Sequence, residues 1–227
     1  MNSSIENNLS LSLLSEKIEK VIDIHKLSNL QGRYIYYLQS HDYDSIISLF
    51  SSDSDVTVEM DDLGYFVGRE KVVDVFLKVL KPLYTTTGAM ALHMITTPVI
   101  EIEDDGLHAW GMFHSFGCNT QPDFVAQGEP AQSAPELLAM WQQGKYFVEY
   151  IKEGEEWKIL KFRWYTNFRT SFDKGWVKQP VVGNLSVVSE IFEGCPEPDG
   201  PSQYEPFNPD GLNSYYPVPP KNVVDNK

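Results

Sequence analysis

Four segments in the C-terminal half of the chain, in which apolar and polar residues alternate, constrain its fold most strongly. Short turn sequences and one longer interruption separate them, and they span 93–102, 107–116, 145–152 and 157–167. Alternation with a period of two is typical of β-strands that have one buried face. Strands that follow one another through short turns pair antiparallel. Because helical patterns dominate the preceding part of the chain, the sequence predicts an α+β protein.

The N-terminal part of the chain combines helices with one hairpin. Three segments have apolar residues at three- and four-residue intervals, as a helix with one buried face does: 16–40, 46–50 and 69–80. Ser15 is placed to cap the first helix, and Pro82 is placed to end the third. Before the third helix, alternation over 56–60, an Asp-Asp-Leu-Gly turn and the apolar run 65–67 predict a β-hairpin.

Composition divides the chain into a flexible N-terminal tail (1–15), one domain (16–179) and a proline-rich extended tail (180–227). Proline-rich sequence does not sustain a helix or a central strand. The C-terminal tail nevertheless carries four large aromatic residues: Tyr204, Phe207, Tyr215 and Tyr216. We therefore expect it to wrap its own domain or a partner subunit, with disorder as the alternative. Within the domain, Ser133–Trp141 is predicted to form a short helix over a sheet edge or a pocket mouth.

The formal net charge of −14 disfavours a nucleic-acid or membrane-surface role, since phosphate groups and anionic lipids would repel such a chain. No apolar run approaches the roughly 18 residues that span a bilayer, and residues 1–15 lack the basic start of a signal peptide. Cys118 and Cys195 lie far apart in sequence, which favours two free thiols. These features predict a cytoplasmic protein, and 42% hydrophobic and 13% aromatic residues predict a globular one.

Two histidines are candidates for acid–base chemistry. His93 stands at the head of the apolar segment 91–95, and imidazole is suited to removing a proton near neutral pH. His114 shares one strand face with Trp110 and Met112 by alternation. If that face lines a pocket, His114 is a second catalytic candidate beside an aromatic wall, and if it faces outward, His114 lies in a dimer interface. Neither histidine has a third ligand at metal-binding spacing, so no metal site is predicted.

The last predicted strand has apolar residues on both faces if alternation is strict over 157–165. This pattern predicts that helices cover one face of the sheet and a partner subunit the other, and hence a homodimer. Arg163 lies among aromatic residues of this strand. Its guanidinium is suited to bind a substrate carboxylate or enolate, and the alternative is an ion pair with one of the many acidic residues.

Short motifs occur in a consistent order along about 16–176: Arg33-Tyr34, Asp42-Tyr43, Leu49-Phe50, Gly68-Arg69, Leu92-His93 and Glu155-Glu156-Trp157-Lys158-Ile159. Their order and spacing resemble the SnoaL-like branch of the nuclear-transport-factor-2-like superfamily. Three later features are similar to a longer subgroup, the lignin-derived diarylpropane formaldehyde lyases: Gly144-Lys145-Tyr146, Phe168-Arg169-Thr170 and the proline-rich tail. The resemblance implies a cone-shaped domain, in which three N-terminal helices pack a curved, mostly antiparallel sheet around an apolar pocket.

The resemblance also implies roles for individual residues. His93 falls at the position of the histidine base in dehydratase-type members, and Tyr34 matches a tyrosine that donates to a substrate oxygen or transmits a proton. In those members an aspartate of the first helix pairs with the histidine, whereas Gln39 stands at that position here. Glutamine can orient an imidazole but cannot stabilise an imidazolium by charge. Tyr34 and Tyr37 fit a pocket wall, and they equally fit the buried stripe of the helix.

The function that the resemblance implies is that of a cofactor-independent lyase or isomerase, such as a dehydratase, cyclase or carbon–carbon lyase, acting on an aromatic or polyketide-like molecule. The predicted catalytic residues are His93, Tyr34 and His114, and the predicted substrate-binding residues are Tyr37, Gln39, Trp110 and Arg163. The alternative is a non-catalytic binding or dimerisation module on the same fold, which Gln39 in place of aspartate favours. A third interpretation, the small subunit of an oxygenase, requires a large partner.

Overall fold

The computed structural model describes residues 2–122, 137–183, 185 and 192–220, and for residues 2–9 it describes the backbone alone. The elements follow the predicted order: α1 (Asn2–Gln39), α2 (Tyr43–Ser48), β1 (Thr57–Met60), β2 (Gly64–Val67), α3 (Arg69–Asp74), α4 (Lys81–Tyr84), β3 (Met90–Ile102), β4 (His108–Pro122), β5 (Leu137–Glu153) and β6 (Glu156–Ser171). A 3-10 turn, Asp61–Leu63, joins β1 to β2, and a π-helical stretch, Val75–Leu80, joins α3 to α4.

The six strands form one sheet in the order β2-β1-β6-β5-β4-β3. The β1–β6 pair is parallel, and the other neighbouring pairs are antiparallel. The helices cover one face, called the inner face below, and the core lies between them and the sheet. Leu27, Tyr34 and Leu38 of α1 are buried there against Tyr146 and Phe162 of the sheet. The predicted α+β fold with a mostly antiparallel sheet is confirmed.

Two predicted helix boundaries are wrong. α1 begins at Asn2 rather than after Ser15, since residues 2–14 contain no proline or glycine that would break a helix. Ser15 lies inside the helix, where its hydroxyl donates to a carboxylate oxygen of Glu19 at 3.4 Å. Pro82 does not end the third helix. It lies in the first turn of α4, a position that does not require a backbone N–H.

The buried stripe of α1 is shorter than its apolar pattern suggests. Leu27 is fully buried, whereas Ile18 and Val21 are exposed by 50% and 66%. The N-terminal part of the helix therefore extends past the sheet without entering the core. No helix in the described part of the chain is both long enough and apolar enough to cross a membrane.

The helix predicted over Ser133–Trp141 is wrong where the structure describes it. Residues 137–141 belong to β5 and pair with β4, and residues 133–136 lie outside the described residues. Leucine, alanine and methionine favour a helix, but pairing with two neighbouring strands overrides that weak preference. Apolar residues also lie on both faces of this segment, so its periodicity does not distinguish a strand from a helix.

β6 departs from strict alternation because its register against β5 shifts twice, once near Gly144 and once near Tyr150. Each bulge adds a residue, which moves the following side chains to the opposite face. The apolar side chains before and after the second shift therefore all reach the core: Trp157, Ile159, Phe162 and Trp164. The outer face receives Lys161 and Arg163. The predicted second apolar face is wrong, and the homodimer prediction loses the observation on which it rested.

The C-terminal tail crosses the outer face of the sheet as an extended strap, residues 195–220. Contacts fix the strap to successive strands: Gly200 to Tyr65 of β2, Phe207 to Asn167 of β6, and Tyr215 and Pro217 to Lys145 of β5. The ring of Tyr216 packs 6.1 Å from that of Tyr165. Of the alternatives for the tail, its described part shows wrapping of its own domain. Both cysteines are free thiols, as predicted.

Gly117 of β4 allows this strand to lie close to β3, the strand that carries His93. A Cβ at this position would lie 1.8 Å from the carbonyl oxygen of Leu92 and 3.2 Å from Cα of His93. We therefore expect Gly117→Ala to force β3 away from β4 and to lower the free energy of unfolding by about 2 to 3 kcal/mol. The matched control is Gly32→Ala in α1, where a Cβ meets nothing within 4 Å; it should stabilise the helix by up to about 1 kcal/mol. Urea unfolding of both variants checks the difference, and equal stabilities would contradict the close contact.

Candidate functional site

His93 lies on the inner face of β3 and is only 7% exposed. The side-chain nitrogen of Gln39, at the C-terminal end of α1, donates to the backbone oxygen of His93 at 2.8 Å. This bond fixes the strand to the helix. The expectation that Gln39 orients the imidazole is wrong, because its amide reaches the backbone of His93 and not the ring.

Two other side chains hold the imidazole of His93. Its Nδ1 lies 2.7 Å from the hydroxyl oxygen of Tyr146, and its Nε2 lies 3.4 Å from Nε2 of Gln142. The amide oxygen of Gln142 accepts a hydrogen bond from Asn119 at 2.7 Å, which turns the amide nitrogen toward His93. In this arrangement Nε2 of the imidazole is the acceptor and Nδ1–H donates to Tyr146. The contact at Nε2 is long, so this nitrogen is the one that a ligand can approach.

A small cavity of about 30 Å³ adjoins the imidazole. Seven of its lining residues are polar or carry a polar group: Tyr34, Asp61, Tyr84, His93, Gln142, Tyr146 and Arg169. The others are apolar: Leu38, Met60, Leu80, Trp164 and Leu185. The cavity is narrow and admits little more than a water molecule, so side chains must move before a ring can enter. The surface that these residues present to the cavity is nevertheless mainly apolar, with a few convergent polar groups, as is typical of small-molecule sites.

Asp61 and Arg169 form a buried ion pair in this cavity that the sequence analysis did not single out. Nη1 of Arg169 lies 3.1 Å from Oδ2 of Asp61, and both side chains are at most 4% exposed. Thr166 donates to the same carboxylate from its backbone nitrogen at 2.7 Å and its hydroxyl at 2.8 Å. Burial raises the pKa of Asp61, whereas the guanidinium of Arg169 and the bonds from Thr166 oppose that rise. Arg169 also donates to the carbonyl oxygens of Val182 and Gly183, which anchors this segment beside the cavity.

A family model described as a SnoaL-like domain matches residues 19–163. The chain belongs to the SnoaL-like family. No curated protein sequence matches it. Among solved structures, a type 2 LinA hexachlorocyclohexane dehydrochlorinase is similar, with 15% identity, a TM-score of 0.55, and coverage of 69% of this chain and 93% of that chain.

Two further solved structures share this fold. LinA-type3 from Novosphingobium barchaimii has 13% identity and a TM-score of 0.55, and covers 69% of this chain and 94% of its own. A protein from Novosphingobium aromaticivorans assigned as a scytalone dehydratase has 13% identity and a TM-score of 0.51, and covers 72% of this chain and 95% of its own. At these identities the likeness concerns the fold of the SnoaL-like domain.

Tyr34 and Tyr37 of α1 take different places in the SnoaL-like domain. Tyr34 is 2% exposed and lines the cavity, with its ring 5.9 Å from that of Tyr146. Its hydroxyl forms no hydrogen bond with a described residue, so it is free to donate to a ligand. Tyr37 is partly buried against the core and is not among the described residues that line the cavity. Tyr37 therefore does not line the cavity in this conformation, and its substrate contact stays a prediction.

Three predicted site residues lie on the outer face of the sheet, away from His93. Trp110 and His114 share the outer side of β4, and Trp110 packs 6.3 Å from Phe147. The side chain of Arg163 donates to Glu149 at 2.8 Å and lies 3.7 Å from Glu59. Their assignment to the substrate pocket is wrong, because the period-two alternation places them opposite the buried side chains. For Arg163 the ion-pair alternative is correct.

The buried position of His93 makes its protonation unfavourable. Burial, together with the nearby charge of Arg169, lowers the pKa of His93 from its ordinary value of 6.5 to about 4. The unfolded chain therefore binds more protons than the folded one between pH 4 and 6.5, so stability falls as the pH is lowered through this window.

We expect the wild-type protein to lose about 2 to 3 kcal/mol more unfolding free energy between pH 7.5 and 4.5 than His93→Gln does. Urea unfolding of both proteins at the two pH values checks this. Equal losses would contradict a depressed pKa, because acidic groups elsewhere titrate alike in the two proteins.

Proposed function

We propose that this protein is a cofactor-independent lyase or isomerase that acts on an aromatic or polyketide-like small molecule in the cavity beside His93. One observation carries the proposal: a neutral imidazole, held by Tyr146, faces a mostly apolar cavity that also contains the unbonded hydroxyl of Tyr34. A lyase or isomerase of this kind needs a base to remove a proton from carbon and a donor for the oxygen that becomes negative. Both groups are present.

In the proposed reaction, Nε2 of His93 takes a proton from a carbon next to a carbonyl or leaving group. The electron pair of the broken C–H bond moves onto the substrate oxygen as an enolate, or expels the leaving group directly. The hydroxyl of Tyr34 donates to that oxygen. His93 then returns the proton to the leaving group or to another carbon, which restores the neutral imidazole.

The environment of His93 restricts the substrates from which it can remove a proton. An imidazole with a pKa of about 4 is unprotonated at neutral pH but is a weak base. No carboxylate pairs with the ring among the described residues, so charge does not stabilise the imidazolium. The proposed substrates are therefore those with an already acidic C–H bond, activated by a conjugated ring or by two carbonyl groups.

The alternative function is a small-molecule binding module, and the narrowness of the cavity favours it. The cavity admits little more than a water molecule, and Gln39, at the position of the aspartate in dehydratase-type relatives, supports the backbone and not the ring. A binding module requires the same cavity but no proton transfer.

An assay that follows hydrogen on carbon separates the two functions. The protein is incubated in D₂O with a panel of cyclic β-diketones, hydroxylated aromatic ketones and halogenated cyclohexanes, and ¹H NMR follows exchange, elimination or isomerisation. The proposal expects turnover of at least one class, with loss of that turnover in His93→Gln. Saturable binding without any change of the C–H signals would support the binding module and overturn the catalytic proposal.

A further inference from the structure

A second cavity lies on the outer face of the sheet, beneath the strap. Its volume is about 100 Å³. Its lining comes from β3, β4, β5 and the strap: Thr97, Val99, Met112, Phe113, His114, Lys145, Pro217, Val218 and Pro219. It lies across the sheet from the cavity of His93, and the two cavities share no lining residue among those described.

Lys145 is the only cationic residue that lines the outer cavity within the described chain, and it is 8% exposed. Its ammonium group donates to the backbone oxygen of Tyr215 and, at 3.0 Å, to that of Pro217. Every ion pair found for the other outer-face cations, Lys161 and Arg163, uses Glu149 or Glu59. No carboxylate of the described residues lies within ion-pair distance of Lys145.

A buried ammonium without a counter-charge is an unfavourable arrangement. Two carbonyl oxygens satisfy two of its three N–H groups, and no described residue compensates its charge. Burial accordingly lowers the pKa of Lys145. An anion in the cavity would supply both the third acceptor and the missing charge.

The groups around Lys145 define the kind of anion. His114, its neighbour on β4, is the other titratable group of the lining, and burial and the charge of Lys145 lower its pKa. The neighbour on β6 is Tyr165, and the strap contributes backbone carbonyls and apolar side chains. A single cation suits a ligand that carries one negative charge. The apolar walls of Val99, Met112 and the prolines suit a ligand whose remaining part is small and apolar. A phosphate, with more charge and more acceptors, would leave oxygens unbonded against these walls.

We infer that the outer cavity binds a small monocarboxylate, with its carboxylate on the ammonium group of Lys145 and its apolar body against Val99, Met112 and the strap prolines. The bound molecule bridges the sheet and the strap, because Lys145 already holds the strap through Tyr215 and Pro217. This site is independent of the proposed reaction at His93.

Benzoate is the probe, and benzamide is its uncharged counterpart of the same shape. ¹H–¹³C NMR of the full chain follows the methyl group of Met112 and the ring of His114 during titration. We expect saturable shifts with benzoate and binding at least about tenfold weaker with benzamide, since a charge-assisted hydrogen bond is lost. His93→Gln should bind benzoate as the wild type does.

Two variants test the assignment of residues. Lys145→Met keeps the aliphatic stem but removes the charge, and it should weaken benzoate binding about tenfold or more. Val99→Trp fills the cavity without altering any charge, so it tests the site even if Lys145→Met releases the strap. Lys161→Met, on the same face but paired with Glu149 at 2.9 Å, is the control and should bind normally. Absence of saturable shifts, equal binding of benzamide, or unchanged affinity in both Lys145→Met and Val99→Trp would overturn the inference.

Discussion

Replacing His93 with glutamine should lower the turnover of a true substrate by about 10² to 10⁴, the usual contribution of a general base. Glutamine is close to histidine in size and can still bond to Tyr146, so the fold should persist. His114→Gln is the matched control, because His114 lies on the outer face of the sheet and should not affect turnover. Steady-state kinetics of the two variants, with circular dichroism to confirm folding, checks the expectation.

Substitutions of the residues around His93 should change the activity by different amounts. Tyr146→Phe removes the hydroxyl that holds Nδ1 at 2.7 Å and should reduce kcat by about tenfold, as the loss of one orienting hydrogen bond does. Gln39→Asp should not create a charged dyad, since the side chain at this position reaches the backbone oxygen of His93 and not its ring. Full activity in His93→Gln, or equal losses in His93→Gln and His114→Gln, would contradict the assignment of the base.

Asp61→Ala should lower the free energy of unfolding by about 3 to 5 kcal/mol, which is the cost of leaving a buried guanidinium without its partner. Arg169 would keep its bonds to Val182 and Gly183, but its nearest remaining carboxylate would be that of Asp62, at 3.9 Å. Asp104→Ala, at an exposed position on the β3–β4 turn, should change stability by less than about 0.5 kcal/mol. Urea unfolding of the two variants measures the difference.

A double variant tests whether Asp61 and Arg169 stabilise the fold as an ion pair. Asp61→Ala with Arg169→Met removes both charges, and it should recover part of the stability that Asp61→Ala alone loses. Additive losses in the double variant would show that the two side chains do not stabilise the fold as an ion pair.

The order of the elements could be predicted because each signal is local. The strands alternate over many residues, the Asp-Asp-Leu-Gly turn joins β1 to β2, and the helical stripe of α1 reaches the core from Leu27 onward. The ends of the elements could not be predicted. Pairing with neighbouring strands extends a strand beyond the residues in which apolar and polar side chains alternate clearly. β5 begins at Leu137 although the strand pattern becomes clear only near Lys145.

The candidate site could be predicted only in part. His93 and Tyr34 reach the cavity, whereas Trp110, His114 and Arg163 do not, because alternation alone does not say which strand face is inner. The two bulges of β6 also move the side chains that follow them to the opposite face of the strand. The pair of Asp61 and Arg169 joins residues far apart in sequence, and only the parallel pairing of β1 with β6 brings them together. A turn aspartate and the second of two arginines in an aromatic strand were the available signals.

The most direct test of the central claim is hydrogen exchange at carbon in D₂O, measured for a bound substrate or analogue with an acidic C–H bond. The account predicts that the wild-type protein exchanges this hydrogen, and that His93→Gln binds the same compound with similar affinity but exchanges it at least about 10²-fold more slowly. Exchange at equal rates in the two proteins would show that His93 is not the base.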